Sequence, residues 1–266
     1  MSLRGNVRRS FLIRILPALL MVVLVGLIYG RLLVGRVLAG GDLQLYFYPY
    51  WSAVVRALRR GDVPAWNPYL FAGAPLLANS QVGLFYPLNW PFWFLTAPTL
   101  AGVTRAIHLS VLLHLWLAAL AVYALARASG LRRWSAALAG VVYAGSGFIG
   151  THLEHLNQVQ GLAWLPLLFL PSLRLRKTGR PLAHWLSVTA FAMIVLAGHT
   201  QMAFIAALAL VIWHGMDTLL GDSKGTSDRI DASSKVSTTG GDEGLGYPPG
   251  CRELETREAE LSRTLR

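Results

Sequence analysis

The sequence predicts an all-α protein: a polytopic transmembrane helical bundle of about six spans, with a large first outer loop that contains an amphipathic interfacial helix. Three observations predict it. Hydrophobic residues make up 54% of the 266 and charged residues only 14%, against roughly 25% in soluble domains. Up to Met216 there are 17 Lys and Arg against 3 Asp and Glu; from the totals of 24 and 13, the tail holds the other 7 basic and 10 acidic residues. The main basic clusters stand between apolar runs, where the positive-inside rule puts them. That pattern assigns the net charge of +11 to membrane topology and leaves no expectation of nucleic acid. The expected division is a membrane domain over residues 1–216, with its first outer loop at about 36–102, and a polar tail over 217–266.

Arg4, Arg8, Arg9 and Arg14 precede an apolar run from Ile15 to Tyr29, reaching Val34 if Arg31 snorkels to the interface. A span needs about 20 residues. Arg8-Arg9-Ser10-Phe11-Leu12 has the look of a twin-arginine export signal, and Val37-Leu38-Ala39 that of a signal-peptidase site. The later apolar segments favour a signal-anchor helix instead. The chain then exits near Arg36, with both termini inside.

In the first outer loop, Pro49 suits the first turn of a helix running to about Arg60. Tyr50, Val54 and Leu58 recur at helical spacing, and Arg56, Arg59 and Arg60 gather at the end that favours cations. The expected element lies at the membrane surface. Its arginines read either as a headgroup-contacting face or as ligands of a lipid phosphate. Gly61-Asp62 ends it. Leu84 to Ala97, broken by Pro87 and Pro91, reads as an interfacial or re-entrant piece.

Val103 to Ala126 is the second span. His108 and His114 within it are six apart, on different helical faces, and read as buried hydrogen-bonded histidines. Arg127, Arg132 and Arg133 mark a cytoplasmic turn. Ser135 to Gly150 is the third span, rich in small residues that allow close helix packing. Thr151 to Gln160 is an outer loop, Gly161 to Leu173 a short fourth span, and Leu182 to Ala197 the fifth. Gly198-His199-Thr200-Gln201 is an outer turn and Met202 to His214 the sixth span. From Asp217 to Gly250 the chain reads as disordered, with a short charged helix over Arg252 to Leu265. The abrupt change of composition suggests a truncated reading frame. The single Cys251 excludes an internal disulfide.

This topology brings Asp42, Asp62, Glu154, His152, His155, His199 and Gln201 to one side of the membrane. A carboxylate at the bilayer centre costs about 2.5–3.5 kcal/mol, so polar residues gathered at one face suit a site for an amphiphilic substrate. The plain alternative is a set of solvated loop residues, and for Asp62, at a helix end, that is the better reading. Asp42, after Gly40-Gly41 and beside the YFYPYW run, is the better functional candidate.

Gly41-Asp42, Tyr46-Phe47-Tyr48-Pro49, the segment Gly61-Asp62-Val63-Pro64-Ala65-Trp66-Asn67-Pro68, Gly73-Ala74-Pro75, Asn79-Ser80-Gln81, Tyr86-Pro87-Leu88, Trp164-Leu165-Pro166 and Gly198-His199-Thr200-Gln201 resemble the N-terminal part of the bacterial YfhO-like membrane proteins. That family is similar to the type C glycosyltransferases, multi-span enzymes of the cell envelope. They move a sugar from a polyprenyl-phosphate carrier to an acceptor on the non-cytoplasmic face. The resemblance implies an inner-membrane location, membrane lipids and a polyprenyl-phosphate-linked sugar as partners, and Asp42 as general base or ligand of a divalent metal ion. Asp42 has no acidic neighbour, unlike the paired acids of better-known members, and Glu154 is the candidate second carboxylate. Arg56, Arg59, His152, His155, His199 and Gln201 are the expected substrate-binding residues. A transporter of a lipid-linked or polar substrate and a non-catalytic scaffold remain as alternative readings.

Overall fold

In the computed structural model of the chain, residues 3–34, 37–178, 183–216 and 218 are described; side chains are described from Ile15, and not over 174–183. Arg36, Arg180, the side chains of the first basic cluster and the expected tail helix lie outside these. The chain divides into two compact units, Met1–Val211 and Ile212–Arg266. Of the second, the described residues are helical, and the Thr218 hydroxyl donates to the Gly215 carbonyl.

The first unit is mostly helical. Its helices are α1 (Leu3–Ile28), α2 (Tyr48–Arg59), α3 (Trp90–Leu95), α4 (Leu100–Ala128), α5 (Arg133–Ala144), α6 (Gly147–Thr151), α7 (Leu156–Thr178) and α8 (Ala183–Leu196). A last helix, α9 (Thr200–Met216), runs on into the second unit. The one sheet among the described residues, between β1 (Trp66–Asn67) and β2 (Ala74–Pro75), is a two-residue antiparallel pairing within the first loop.

The centre of the unit is α4, packed by α1, α2, α3, α5 and α7, with α8 packed against α7. Its N-cap, Thr99, accepts the Gly102 N–H through its side chain, the pairing that a helix start needs. Side-chain bonds tie the helices together. Trp116 donates to the Val22 carbonyl, Tyr29 to Ala144, Tyr143 to Leu162 and Ser187 to Leu168. The small-residue face of α5 is buried through Ala136, Ala137, Gly140 and Ala144, as its composition predicts.

Several boundaries differ from the expected ones. Among the described residues, α4 is the one helix long and apolar enough to cross a membrane by itself, with mean hydropathy 2.1. Ile15–Ile28, His184–Leu196 and Thr200–Met216 are shorter apolar helices. The expected third span is broken: α5 stops at Ala144, and Ser146 caps a new helix by accepting the Ile149 N–H. The expected outer loop ends early, because α7 begins at Leu156 and buries Asn157 and Gln160. The last turn is likewise shorter, since α9 begins at Thr200 and takes up Gln201.

The first loop is ordered. A π-helical stretch, Leu43–Phe47, leads directly into α2, so one continuous helical segment runs from Gly41 to Arg59. Tyr48, Trp51, Val54 and Val55 face the core, while Arg56, Arg59 and Arg60 stay exposed. The amphipathic helix expected from Pro49 to Arg60 is therefore present one residue earlier.

Candidate functional site at the start of the first loop

The peptide of Leu38 is held from both sides. His108 accepts its N–H at Nε2 (3.2 Å), and the Tyr48 hydroxyl donates to its carbonyl (3.1 Å). His108 Nδ1 lies 3.2 Å from the Leu32 carbonyl. A carbonyl only accepts, so Nδ1 carries the proton and Nε2 the lone pair that Leu38 uses. Burial pushes the Tyr48 hydroxyl up to about 12, which keeps it a donor. This clamp fixes the chain two residues before Gly40-Gly41-Asp42.

From that fixed point Asp42 meets the loop between α6 and α7. The His155 Nδ1–H donates to Asp42 Oδ2 at 2.6 Å, across 113 residues of sequence. Glu154 Oε1 lies 4.0 Å from His155 Nε2, too far for a hydrogen bond but close enough to act on its charge. Glu154 also packs on Gly40, where any Cβ would overlap its side chain. The His155 and Glu154 side chains are each 34% exposed and that of Asp42 is 55% exposed, so a solute can reach all three.

The remaining candidates divide into two groups. His152 stacks on Phe148 (4.3 Å between ring centroids), bonds the Phe148 carbonyl through Nδ1 at 2.7 Å, and holds its ring 5.7 Å from that of His155. His199 caps α9, accepting the Met202 N–H at Nδ1 (3.2 Å). Burial first, and then the charge of His155, hold His199 below the ordinary histidine range. Gln201 is exposed in the first turn of α9. These lie on the elements that frame the Asp42–His155 pair. Arg56 and Arg59 lie elsewhere. Arg59 donates to the Phe94 and Thr96 carbonyls and ties α2 to α3. Arg56 bonds the Ser52 carbonyl and stands 5.0 Å over the Tyr69 ring. Asp62 pairs with Arg60 at 2.8 Å in solvent, which accounts for it as a loop residue.

Among the described residues no group of three or more His, Cys, Asp or Glu side chains could hold a metal ion. Asp42 already accepts from His155, so the residues present do not form a divalent-cation site.

A buried polar cluster escaped the sequence reading. Trp164 donates to the Tyr86 oxygen (2.7 Å), Tyr86 lies 2.7 Å from His114 Nε2, and His114 Nδ1 lies 2.6 Å from the Ser110 carbonyl. The carbonyl fixes the proton on Nδ1, so Tyr86 must donate to Nε2. Gln160 donates to Asn89 Oδ1 at 2.7 Å, and Asn89 to the Gly83 carbonyl. The signal available was Asn89 between aromatic residues and Gln160 at the start of an apolar run. His108 and His114, by contrast, are the buried bonded histidines expected.

Nothing similar to this chain emerged. Family models, curated proteins and solved structures all gave no match. The reading of the site therefore rests on its own chemistry.

Proposed function

We propose that this chain is the catalytic N-terminal part of a YfhO-like, type C glycosyltransferase. It would sit as a polytopic protein in the bacterial inner membrane, transferring a sugar from a polyprenyl-phosphate donor to an acceptor on the non-cytoplasmic face. The observation that carries the reading is the contact between Asp42 and His155. A carboxylate that holds Nδ1–H leaves Nε2 as a base of fixed direction. In the proposed step, Nε2 takes the proton of the acceptor hydroxyl as its oxygen bonds the anomeric carbon. The bond from that carbon to the carrier phosphate breaks, and polyprenyl phosphate leaves with the electron pair. Glu154 favours the imidazolium that forms. The role assigned to Asp42 thus shifts from base to orienting partner of the base.

The membrane placement is supported by apolar side chains turned outward on several helices at once: Leu19, Val23 and Leu27 of α1, Leu138 and Val142 of α5, and Val188 of α8 are all exposed. Exposed Trp66, Tyr69, Phe71 and Phe94 in and around the first loop suit the headgroup region.

The test is transfer of labelled sugar from polyprenyl phosphate in membranes holding the chain. Loss of a general base typically lowers rates about 10²–10⁴-fold. His155→Ala should fall in that range. Asp42→Asn should lose less than His155→Ala, and Asp62→Asn should stay near wild type. Equal activity of His155→Ala and wild type would remove the dyad from the mechanism.

The second reading, a transporter, is favoured by the buried cluster of Asn89, Ser110, His114 and Gln160 and by the helix break at Gly145-Ser146, since transporters place polar groups and interrupted helices in the bundle. It predicts uptake of a polar or lipid-linked substrate that Gln160→Leu abolishes and His155→Ala spares.

A further inference from the structure

A cavity of about 940 Å³ lies between the segment that follows α1, the helical stretch from Gln44 to Arg56 and the first turns of α4. That is near the upper end of the roughly 300–1,000 Å³ of small-ligand sites. Asp42, His155 and Glu154 are not among its lining residues, although His108 and Tyr48, which hold the Leu38 peptide, form part of its wall. Leu32, Leu33, Val37, Leu100 and Leu109 make its apolar walls. Leu33, Val37 and Leu100 are each more than half exposed, so the apolar wall continues outward.

Arg56 and Arg105 both line the cavity, and both are exposed. The three described carboxylates are already engaged: Asp62 with Arg60, and Asp42 and Glu154 with His155. Two guanidinium groups without a carboxylate, over apolar walls, match a ligand with an anionic phosphate at one end and hydrocarbon at the other. Gln44, Ser52 and Thr104 supply further polar groups for the region between.

We propose that this cavity binds an anionic glycerophospholipid of the phosphatidylglycerol kind, its phosphate between Arg56 and Arg105 and an acyl chain along Leu33, Val37 and Leu100. The proposal rests on the membrane placement above and not on sugar transfer. A headgroup carrying its own cation would bring that cation towards the arginines, so the site discriminates by charge as well as by phosphate.

The full chain, purified in mild detergent, is examined by native mass spectrometry and thermal unfolding with phosphatidylglycerol, phosphatidylcholine or inorganic phosphate added. Phosphatidylglycerol should be retained and should raise Tm, and the other two should do neither. Arg56→Gln and Arg105→Gln should each weaken retention about tenfold, the order expected for one charge-assisted hydrogen bond. Arg60→Gln, which removes the same charge outside the cavity, should leave retention unchanged. Ala101→Trp fills the cavity with both arginines intact and should abolish retention without their loss. Equal retention of phosphatidylcholine, stabilisation by inorganic phosphate alone, retention unchanged in both arginine variants and in Ala101→Trp, or displacement of the phospholipid by polyprenyl phosphate would each overturn the proposal. Loss of sugar transfer by His155→Ala would leave this result untouched, which separates the two readings.

Discussion

Tyr86 stands between two groups that each need it. Its oxygen accepts from Trp164 while its proton goes to His114. Tyr86→Phe keeps the ring and removes both bonds, leaving the His114 imidazole nitrogen unpaired in the core and the half-buried Trp164 indole N–H without this partner. An orphaned buried group such as the imidazole costs about 1–3 kcal/mol, and the half-buried indole N–H adds less. The variant should therefore unfold at clearly lower temperature than Trp164→Phe, which orphans one acceptor that still has its own donor bond. Melting of the two variants in the same detergent measures the difference. Asp42 and Glu154 were legible at this scale because acids are so rare before Met216. The partner of Asp42 was not: His155 is 113 residues away, and no local pattern encodes which imidazole a carboxylate will meet.

At the scale of elements, the turn from α8 to α9 docks on the first loop. Gly198 has φ +84, and a Cβ there would overlap the Ser80 carbonyl. Gly198→Ala faces both backbone strain, about 1–2 kcal/mol, and that collision, and should lower Tm more than Gly215→Ala, where a Cβ meets open space. The adjacent cap makes the turn sensitive to acid. His199 accepts the Met202 N–H only when unprotonated, and its folded pKa lies below the ordinary value of about 6.5. The unfolded chain then binds the proton more readily, so this contribution to stability is complete above about pH 6.5 and is lost as pH falls below it. Tm measured at pH 7.5 and 5.5 should drop more for wild type than for His199→Asn, whose Oδ1 can cap at either pH. Helix α2 was legible from Pro49 and its spacing of apolar residues. The break after α5 was not, because small apolar residues continue on both sides of Gly145-Ser146 and hide a cap in hydrophobic sequence. The polar start of α7 was misjudged for the opposite reason: Asn157 and Gln160 look like loop residues until neighbouring elements satisfy them.

For the first unit as a whole, the alternation of basic clusters predicts the outer face at Gly40–Gln81 and the inner face at Ser135. Replacing the single Cys251 by Ser and introducing Cys at Ser80 or Ser135 gives a direct readout. Impermeant thiol reagent should label position 80 from outside and position 135 only after the membrane is opened. Outside labelling at 135 would invert the arrangement of α4 and α5. The α-helical class was legible from composition and apolar runs. The number of crossings was not, because short, proline-interrupted or broken helices can sit at several depths with the same sequence hydropathy.

The separation of Asp42 from His155 also sets a clock. At roughly 5–20 residues per second of synthesis, the 113 residues that separate them take about 6–23 s to appear. Through that interval the first loop has its carboxylate but lacks its imidazole, and α7 has yet to close against α4. A nascent chain at that stage cannot present an oriented base to any acceptor. The proposed chemistry is therefore withheld during biogenesis and begins only when the later helices are in place.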